Sequence, residues 1–185
     1  MRILAISGSL RRDSHNTRLL RAAAEMLPPG VELVRFDGLA DVPLYNEDLD
    51  IDPAPAGAQA LREAIEDADA LLISTPEYNA SIPGVLKNAV DWASRPYPDN
   101  ALRDKPVAVI GASTGLFGAV WAQAELRKAL RHTGAHVLDD ELPVGTADHA
   151  FTPGGKLLDP ELTRRLADLL DQLAREVRAP LELAS

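Results

Sequence analysis

Three short stretches of this sequence place polar side chains where they could bind a ligand or do chemistry, and the first is Gly8–Thr17, read G-S-L-R-R-D-S-H-N-T. It follows an apolar run and precedes a helical pattern, and backbone amides at a helix N-terminus favour an anion. Arg11 and Arg12 are candidate donors, and each charge-assisted hydrogen bond to an anion is worth about 1.5 to 3 kcal/mol. The stretch therefore predicts a phosphate site. The alternative is that Ser14 or Asn16 only caps the helix while both arginines are solvated.

The same stretch matches neither the dinucleotide pattern G-x-G-x-x-G nor the G-K-[ST] phosphate loop. Both motifs depend on glycines at fixed positions that let the backbone approach a phosphate. Neither a Rossmann NAD site nor an ATP site is therefore favoured.

The second stretch is Leu71–Trp92, read L-L-I-S-T-P-E-Y-N-A-S-I-P-G-V-L-K-N-A-V-D-W. Leu71–Thr75 has the length and composition of a buried strand, and Ser81 and Pro83 precede apolar residues at helical spacing. Pro76–Ala80 forms a loop between them. Ligands of open parallel sheets bind outside the carboxyl ends of the strands, so this order predicts a binding surface. The alternative is an ordinary connection between a strand and a helix.

The third stretch, Gly111–Gly115, matches the serine-hydrolase pattern G-x-S-x-G, with aspartates at positions 139 and 140 and His149 downstream in hydrolase order. In that reading Ser113 is the nucleophile, His149 the base and an aspartate its orienter. The motif is short, however, and it leaves the other two stretches without a role. The competing reading makes Ser113–Gly118 a third ligand loop, whose glycines allow the backbone to approach a ligand closely.

Length and composition narrow the protein class. The 185 residues are 46% hydrophobic and 25% charged, which predicts a globular domain over residues 1–178 with a short tail at 179–185. The absence of cysteine excludes disulfides and thiolate metal sites. A formal charge of −9 opposes non-specific binding to nucleic acid or anionic membranes. No apolar run approaches the roughly 20 residues of a membrane span, so a cytoplasmic protein is expected.

No metal site is predicted. His132 and His136 are four residues apart, but Gly134 lies between them at a predicted helix end. Two histidines on one helix face would be needed to share a metal ion at this spacing. Solvated surface histidines are therefore the better interpretation.

Hydrophobic periodicity predicts five strands that alternate with five helices. The strands are expected at 2–7, 31–36, 71–75, 106–112 and 135–138, and the helices at 17–27, 58–68, 83–94, 119–131 and from 160 onward. Long connections are expected at 37–56 and 143–158. Because hairpin signals are absent, the pattern predicts an α/β protein in which helices cover both faces of a parallel sheet. The pattern alone does not give the strand order.

Two of the stretches resemble a known family. The strings P-E-Y-N and S-x-P-G-x-L-K-N-A-x-D-W at 76–92, and G-S-x-R-x-x-S-x-N at 8–16, are similar to those of the NADPH-dependent FMN reductase family, the flavodoxin-like quinone, chromate and azo reductases. The similarity runs almost from end to end of the chain. It implies a flavodoxin-like three-layer αβα sandwich with a five-stranded sheet of order 2-1-3-4-5. That order brings together the loops after strands one, three and four.

The resemblance also implies which residues bind FMN. It assigns the phosphate to the first stretch, one edge of the isoalloxazine ring to the second and the other side of the ring to the third. This sequence has Gly115 and Gly118 where the family has adjacent glycines. No catalytic residue is expected, because N5 of FMN carries the chemistry. The cofactor-binding residues implied are Ser9, Arg11, Ser14, Asn16, Thr17, Pro76, Glu77, Tyr78, Asn79, Ser81, Ser113, Thr114 and Gly115.

The function implied is that of an FMN-dependent NAD(P)H oxidoreductase. It would take a hydride from NADPH or NADH onto bound FMN and pass two electrons to a quinone, free flavin, azo or nitro compound, or chromate. The phosphate ends the ligand inside a closed loop, which favours FMN over FAD. A flavin-binding electron carrier or redox sensor is the alternative from another class. The resemblance further implies a homodimer or homotetramer, with the helix from Ile82 near the contact.

The two tryptophans are expected in the core or at a subunit interface. Trp92 and Trp121 both fall on predicted helices, where large aromatic side chains usually pack. Tyr78 lies in the loop of the second stretch and is the more favoured ring contact. The sequence assigns no role to Tyr45 in the long connection.

Overall fold

The computed structural model describes residues 1–178 and contains one five-stranded parallel sheet; the tail predicted at 179–185 lies outside the described residues. The strands are β1 Arg2–Ser7, β2 Glu32–Phe36, β3 Ala70–Thr75, β4 Pro106–Ala112 and β5 His136–Val144. Their order is β2-β1-β3-β4-β5, and every neighbouring pair is parallel. This confirms the flavodoxin-like order implied by the resemblance.

Helices cover both faces of the sheet, as the alternating pattern predicts. The α-helices are α1 His15–Ala24, α2 Ala56–Glu66, α3 Gly84–Ala93, α4 Val120–His132 and α5 Pro160–Arg178, and two 3-10 turns lie at Gly38–Asp41 and Glu47–Leu49. One apolar cluster joins the sheet to α1 and α5, and the other joins it to α2, α3 and α4. Within residues 1–178, no helix is long and apolar enough to cross a lipid bilayer.

The central strand β3 explains why the second stretch begins with an unbroken apolar run. All six of its residues are buried. Leu71 and Ile73 pack on the side of α2, α3 and α4, whereas Ala70 and Leu72 pack on the side of α1 and α5. A strand covered on both faces needs apolar residues at every position, so its alternation disappears.

The edge strand β5 differs from its prediction. The sequence pattern ends it at Leu138, but the strand continues through a bulge to Val144. The step from Val107 to Val109 on β4 is matched by the step from Val137 to Glu141 on β5. The bulge leaves the acidic residues at 139 and 140 exposed, and the strand returns to the core at Leu142. The predicted loop at 143–158 therefore begins later.

Part of the long connection after β2 is fixed to α3. We call residues 42–50 the strap. The Asn88 side chain accepts the Tyr45 amide through Oδ1 at 2.7 Å and donates to the Pro43 carbonyl at 2.8 Å. The indole Nε1 of Trp92 donates to the same carbonyl at 2.7 Å. Trp92 is fully buried, so it is a core residue and not an interface residue.

Candidate functional site

The loops that follow β1, β3 and β4 lie side by side at the carboxyl edge of the sheet, because these three strands are neighbours. We number each loop by the strand that it follows: residues 8–14 are the first loop, 76–83 the third loop and 113–119 the fourth loop. Each is followed by a helix, α1, α3 or α4 respectively. This edge is where open parallel sheets bind their ligands.

One buried amide connects the three loops. Asn16 is 2% exposed, and its Oδ1 accepts hydrogen bonds from Ser74 Oγ at 2.8 Å and from the Ala112 amide at 3.0 Å. Its Nδ2 donates to the Ala112 carbonyl at 2.9 Å. Ser74 precedes the third loop and Ala112 precedes the fourth. The Asn16 side chain therefore ties the start of α1 to both strands through bonds within the protein.

Two hydroxyls of the first stretch also have protein partners. Ser14 caps α1, because its Oγ accepts the amides of Asn16 at 3.1 Å and Thr17 at 3.4 Å. Thr17 Oγ1 donates to Ser7 Oγ at 3.0 Å. The capping alternative from the sequence therefore describes Ser14 correctly. A cap at this position leaves other donors of the first loop for a ligand.

Those remaining donors suit an anion. Arg11 and Arg12 are both exposed, and Arg11 donates to the carbonyl of Asp13 at 3.1 Å. Across residues 1–178, the backbone amides of Leu10, Arg12 and Asp13 have no protein acceptor. Ser9 Oγ receives only a long hydrogen bond of 3.4 Å from the Arg11 amide. The first loop thus presents amides and guanidinium groups beside a helix N-terminus.

His15, the first residue of α1, has a lowered pKa that favours its neutral form. Burial, followed by the positive charges of Arg11 and Arg18, lowers the pKa of His15, while Asp148 opposes the shift. The imidazole stacks on Phe151, with ring centroids 6.5 Å apart. The positive charge of the first loop therefore comes from its arginines.

The third loop contains a tight hairpin. Tyr78 and Ser81 exchange two backbone hydrogen bonds of 3.0 and 3.1 Å. Between them, Asn79 and Ala80 have φ of 54° and 59°. Two consecutive positive φ angles define a type I′ turn, and the conformation is costly for alanine. Strain of this kind is retained where the surrounding structure requires it, which is often at a ligand site.

Side chains of the third loop also bind α4. Glu77 Oε2 accepts the amides of Trp121 at 3.0 Å and Ala122 at 3.1 Å. Ser81 Oγ donates to Glu125 Oε2 at 2.6 Å. The hairpin is therefore attached to the first and second turns of α4, and Glu77 uses its side chain within the protein.

The fourth loop follows a path that its glycine permits. Gly118 has φ of 60°, and a Cβ at this position would lie 2.5 Å from the carbonyl carbon of Pro143. A side chain there would collide with the backbone after β5. The Ser113 amide donates to the Val144 carbonyl at 3.0 Å, which fixes the start of the loop. Thr114 and Gly115 are exposed between these two points.

An aromatic pair borders the fourth loop. Phe117 and Trp121 are 59% and 50% exposed and contact each other edge to face, with ring centroids 5.2 Å apart. Tyr78, on the neighbouring hairpin, is 53% exposed. Trp121 is thus not a core residue of the described chain, unlike Trp92. Exposed aromatic groups at the carboxyl edge of the sheet can contact a planar ligand or another protein surface.

The geometry does not assemble a serine-hydrolase triad. Ser113 Oγ accepts the amide of Gly115 at 3.1 Å and, within residues 1–178, makes no hydrogen bond to a histidine. His149 is exposed beside Asp148, at 3.3 Å. Asp139 pairs with Arg131 on the surface. A nucleophile needs its base within hydrogen-bond reach, so the G-x-S-x-G match is a coincidence of sequence.

The donor set fits FMN. A phosphate needs several amides or cations around one point, and the first loop offers unpaired amides with Arg11 beside the start of α1. A flavin ring needs backbone donors and apolar or aromatic contacts at the adjoining loops. The amides of Asn79 and Ala80, which have no acceptor within the described chain, meet the first need. The exposed ring of Tyr78 meets the second.

Sequence reasoning missed the attachment of these loops to α4. Glu125 has no role in the sequence-based assignment, although it binds Ser81, and the resemblance places Glu77 at the flavin without predicting that its side chain binds α4. Both contacts join residues 44 positions apart in the chain. No local motif announces such a contact. Only the absence of a Ser, Thr, Asp or Asn before α4 hints that its cap comes from elsewhere.

Comparisons with known proteins agree on one family. The family model described as NADPH-dependent FMN reductase matches residues 1–149. An NAD(P)H-dependent FMN reductase of Pseudomonas aeruginosa is 43% identical over 179 residues, covering 96% of each chain. A 2-hydroxy-1,4-benzoquinone reductase of Burkholderia is 38% identical over 179 residues, covering 96% of this chain and 97% of that protein.

A solved structure extends the agreement to three dimensions. The flavoenzyme NAD(P)H:(acceptor) oxidoreductase FerB of Paracoccus denitrificans superimposes with a TM-score of 0.83 at 36% identity. The match covers 96% of this chain and 97% of FerB. Sequence and fold therefore point to the same group of proteins.

Proposed function

Because this chain belongs to the NADPH-dependent FMN reductase family, we propose which of its residues bind FMN and which acceptor it reduces. The protein is an FMN-dependent NAD(P)H oxidoreductase. FMN, when bound, supplies the redox chemistry by taking a hydride from NAD(P)H and releasing two electrons to an acceptor. The chain itself binds and orients the cofactor and its substrates.

The first loop holds the phosphate in this proposal. Ser9, the Arg11 guanidinium and the unpaired amides of the loop surround it, and the start of α1 adds a favourable dipole. Ser14 and Thr17 contribute through the helix start that their hydroxyls organise. The single observation that carries this assignment is the row of unpaired donors beside an arginine in a protein of net charge −9.

The third and fourth loops hold the ring. Pro76, Tyr78 and the Asn79 backbone of the hairpin line one edge, and Ser113, Thr114 and Gly115 line the other side. The side chains of Asn16 and Glu77 act differently, because their hydrogen bonds are made within the protein. We assign them to the placement of the loops, and only the backbone of Glu77 to the ring.

A quinone is the acceptor we favour. The relatives include a 2-hydroxy-1,4-benzoquinone reductase and proteins named quinone reductase at 38% identity. The exposed rings of Tyr78, Phe117 and Trp121 offer apolar surface beside the proposed ring site. A planar ring such as a quinone suits such a surface better than a small oxyanion such as chromate.

The same proposal includes an oligomer in the cytoplasm. A groove of about 1000 Å³ runs between α3 and α4 and is lined by Ile82, Val90 and Ala129 among polar residues. It adjoins the third loop, so a second copy seated there would lie beside the flavin. A cytoplasmic location follows from the dependence on NADPH or NADH, which are cofactors of the cell interior.

The test of this function is turnover with a quinone. Protein reconstituted with FMN is mixed with NADPH or NADH and 1,4-benzoquinone, and hydroquinone formation is followed without oxygen. We expect one hydroquinone per reduced nicotinamide consumed, because both electrons leave together. Bound FMN with no quinone turnover from either donor would instead favour the carrier or sensor.

A further inference from the structure

Helix α4 begins without a cap of its own. The residue before it, Ala119, has a left-handed backbone with φ of 62° and no side-chain acceptor. The first amides of a helix have no partner within the helix, so a missing cap leaves them unsatisfied. A typical helix uses Ser, Thr, Asp or Asn at this position, and the loss of that residue weakens the first turn.

The missing cap comes from the third loop. Glu77 Oε2 accepts the amides of Trp121 and Ala122, which belong to the first turn of α4. A carboxylate at this end also interacts favourably with the helix dipole. A second bond, from Ser81 to Glu125, attaches the same loop one turn further along. The hairpin and the start of α4 are thereby held as one unit.

We propose that Glu77 is a positioning residue for the flavin: its carboxylate caps α4 and so fixes the fourth loop opposite the third. This inference rests on the proposed function, in which the two loops flank the ring. The fourth loop ends at Ala119, directly before the capped turn. When that turn is ordered, the position of the last residue of the loop is fixed. Glu77 therefore acts through the backbone of α4 and not through the ligand.

The expected effect on FMN binding follows from the population of ordered loops. If only a fraction of the molecules has the fourth loop in place, the apparent Kd rises by the reciprocal of that fraction. Glu77→Ala removes the cap, whereas Glu77→Gln retains an oxygen that can accept both amides. Loss of order in nine molecules of ten would raise the Kd about tenfold.

A matched control removes a different helix cap. Asp159 Oδ1 accepts the Glu161 amide at 2.8 Å at the start of α5, outside the three loops. Asp159→Ala and Glu77→Ala should each lower the unfolding midpoint by about 2 to 4 °C, since each removes one cap. Only Glu77→Ala should change the site.

The experiment has two measurements. Hydrogen exchange of the FMN-free protein reports on the cap without any ligand, and FMN titration followed by flavin fluorescence reports on the site. We expect Glu77→Ala to lose protection at the amides of Trp121 and Ala122 and to raise the Kd for FMN about tenfold. The Kd of Glu77→Gln for FMN should stay within about threefold of the wild-type value. The Kd of Asp159→Ala should do the same.

Three results would overturn the proposal. Unchanged exchange at Trp121 and Ala122 in Glu77→Ala would show that the carboxylate is not the cap. Lost protection of these two amides with an unchanged Kd for FMN would show that the cap stabilises α4 but does not position the flavin. A Kd raised equally in Glu77→Gln, with protection retained, would show that the charge acts on the flavin directly. If the wild type itself binds no FMN, the proposed function fails while the exchange result still tests the cap.

Discussion

Two polar residues near the start of α1 differ in what they can do for a ligand. Asn16 is buried, and its side-chain amide forms hydrogen bonds with Ser74 and Ala112. Arg11 is exposed, and within residues 1–178 its guanidinium makes a single hydrogen bond, to the neighbouring carbonyl of Asp13. Replacing Asn16 would therefore disturb three loops at once, whereas replacing Arg11 removes a donor and leaves the fold intact.

At the residue scale, Arg11→Ala tests the phosphate site. We expect FMN affinity to fall by about 1.5 to 3 kcal/mol, the value of one charge-assisted hydrogen bond, which corresponds to roughly 10- to 150-fold in Kd. The measurement is FMN titration by flavin fluorescence. The control is Arg12→Ala, which removes the same charge one residue further along.

The paired variants separate a specific contact from general attraction. Arg12→Ala should stay within about threefold of the wild type, because Arg12 falls at a variable position of the pattern G-S-x-R-x-x-S-x-N and a surface charge without a specific contact contributes little. Equal losses of FMN affinity in the two variants would indicate general electrostatic attraction. Unchanged FMN affinity in Arg11→Ala would show that Arg11 does not contact the phosphate.

At the element scale, the strap depends on α3. Asn88 and Trp92 both hydrogen-bond to the Pro43 carbonyl, and Tyr45 packs edge to face on the indole with centroids 5.1 Å apart. Arg62 adds an ion pair to Asp50 at 2.7 Å at the other end of the strap. These bonds hold the strap against α2 and α3, together with Val42, which packs in the core.

The indole can be tested by a conservative replacement. Trp92→Phe keeps an aromatic ring but removes the hydrogen bond to Pro43 and some buried volume, so we expect a loss of about 1 to 3 kcal/mol in unfolding free energy. Trp121→Phe, at a half-exposed position, should change it by less than about 0.5 kcal/mol. Urea unfolding followed by circular dichroism measures both. Equal losses of unfolding free energy in the two variants would mean that the hydrogen bond from Trp92 to Pro43 makes no specific contribution to stability.

The strands differ in how well the sequence predicts them. The strands at 2–7 and 106–112 were predicted with their observed bounds, because buried parallel strands are continuous apolar runs bounded by polar loops. The bulge in β5 has no such signature, since Asp139 and Asp140 resemble the start of a loop. The strand order came only from the family resemblance, because periodicity does not specify which strands pair.

The site was predicted at the level of loops and not of side-chain partners. The three stretches do meet at one edge of the sheet. The resemblance groups Asn16 and Glu77 with Arg11 as cofactor-binding residues, whereas burial and hydrogen bonding distinguish them in the structure. Contacts across 44 or 96 residues depend on the fold, so no local pattern reveals them.

At the scale of the whole molecule, an acidic protein offers a local site for an anionic cofactor. The net charge of −9 repels a phosphate at long range, but salt screens that repulsion beyond about 8 to 10 Å. Close to the first loop, unpaired amides and Arg11 dominate. Tight FMN binding is thus compatible with the overall charge.

The most direct test of the central claim is an anaerobic visible spectrum of the FMN-reconstituted protein during titration with NADPH and, separately, with NADH. We predict that the spectrum of bound oxidised flavin bleaches fully at one equivalent of at least one donor, because one hydride carries both electrons. The difference between the donors gives the preference. A bound flavin that remains oxidised with both donors would contradict the assignment as a nicotinamide-dependent reductase.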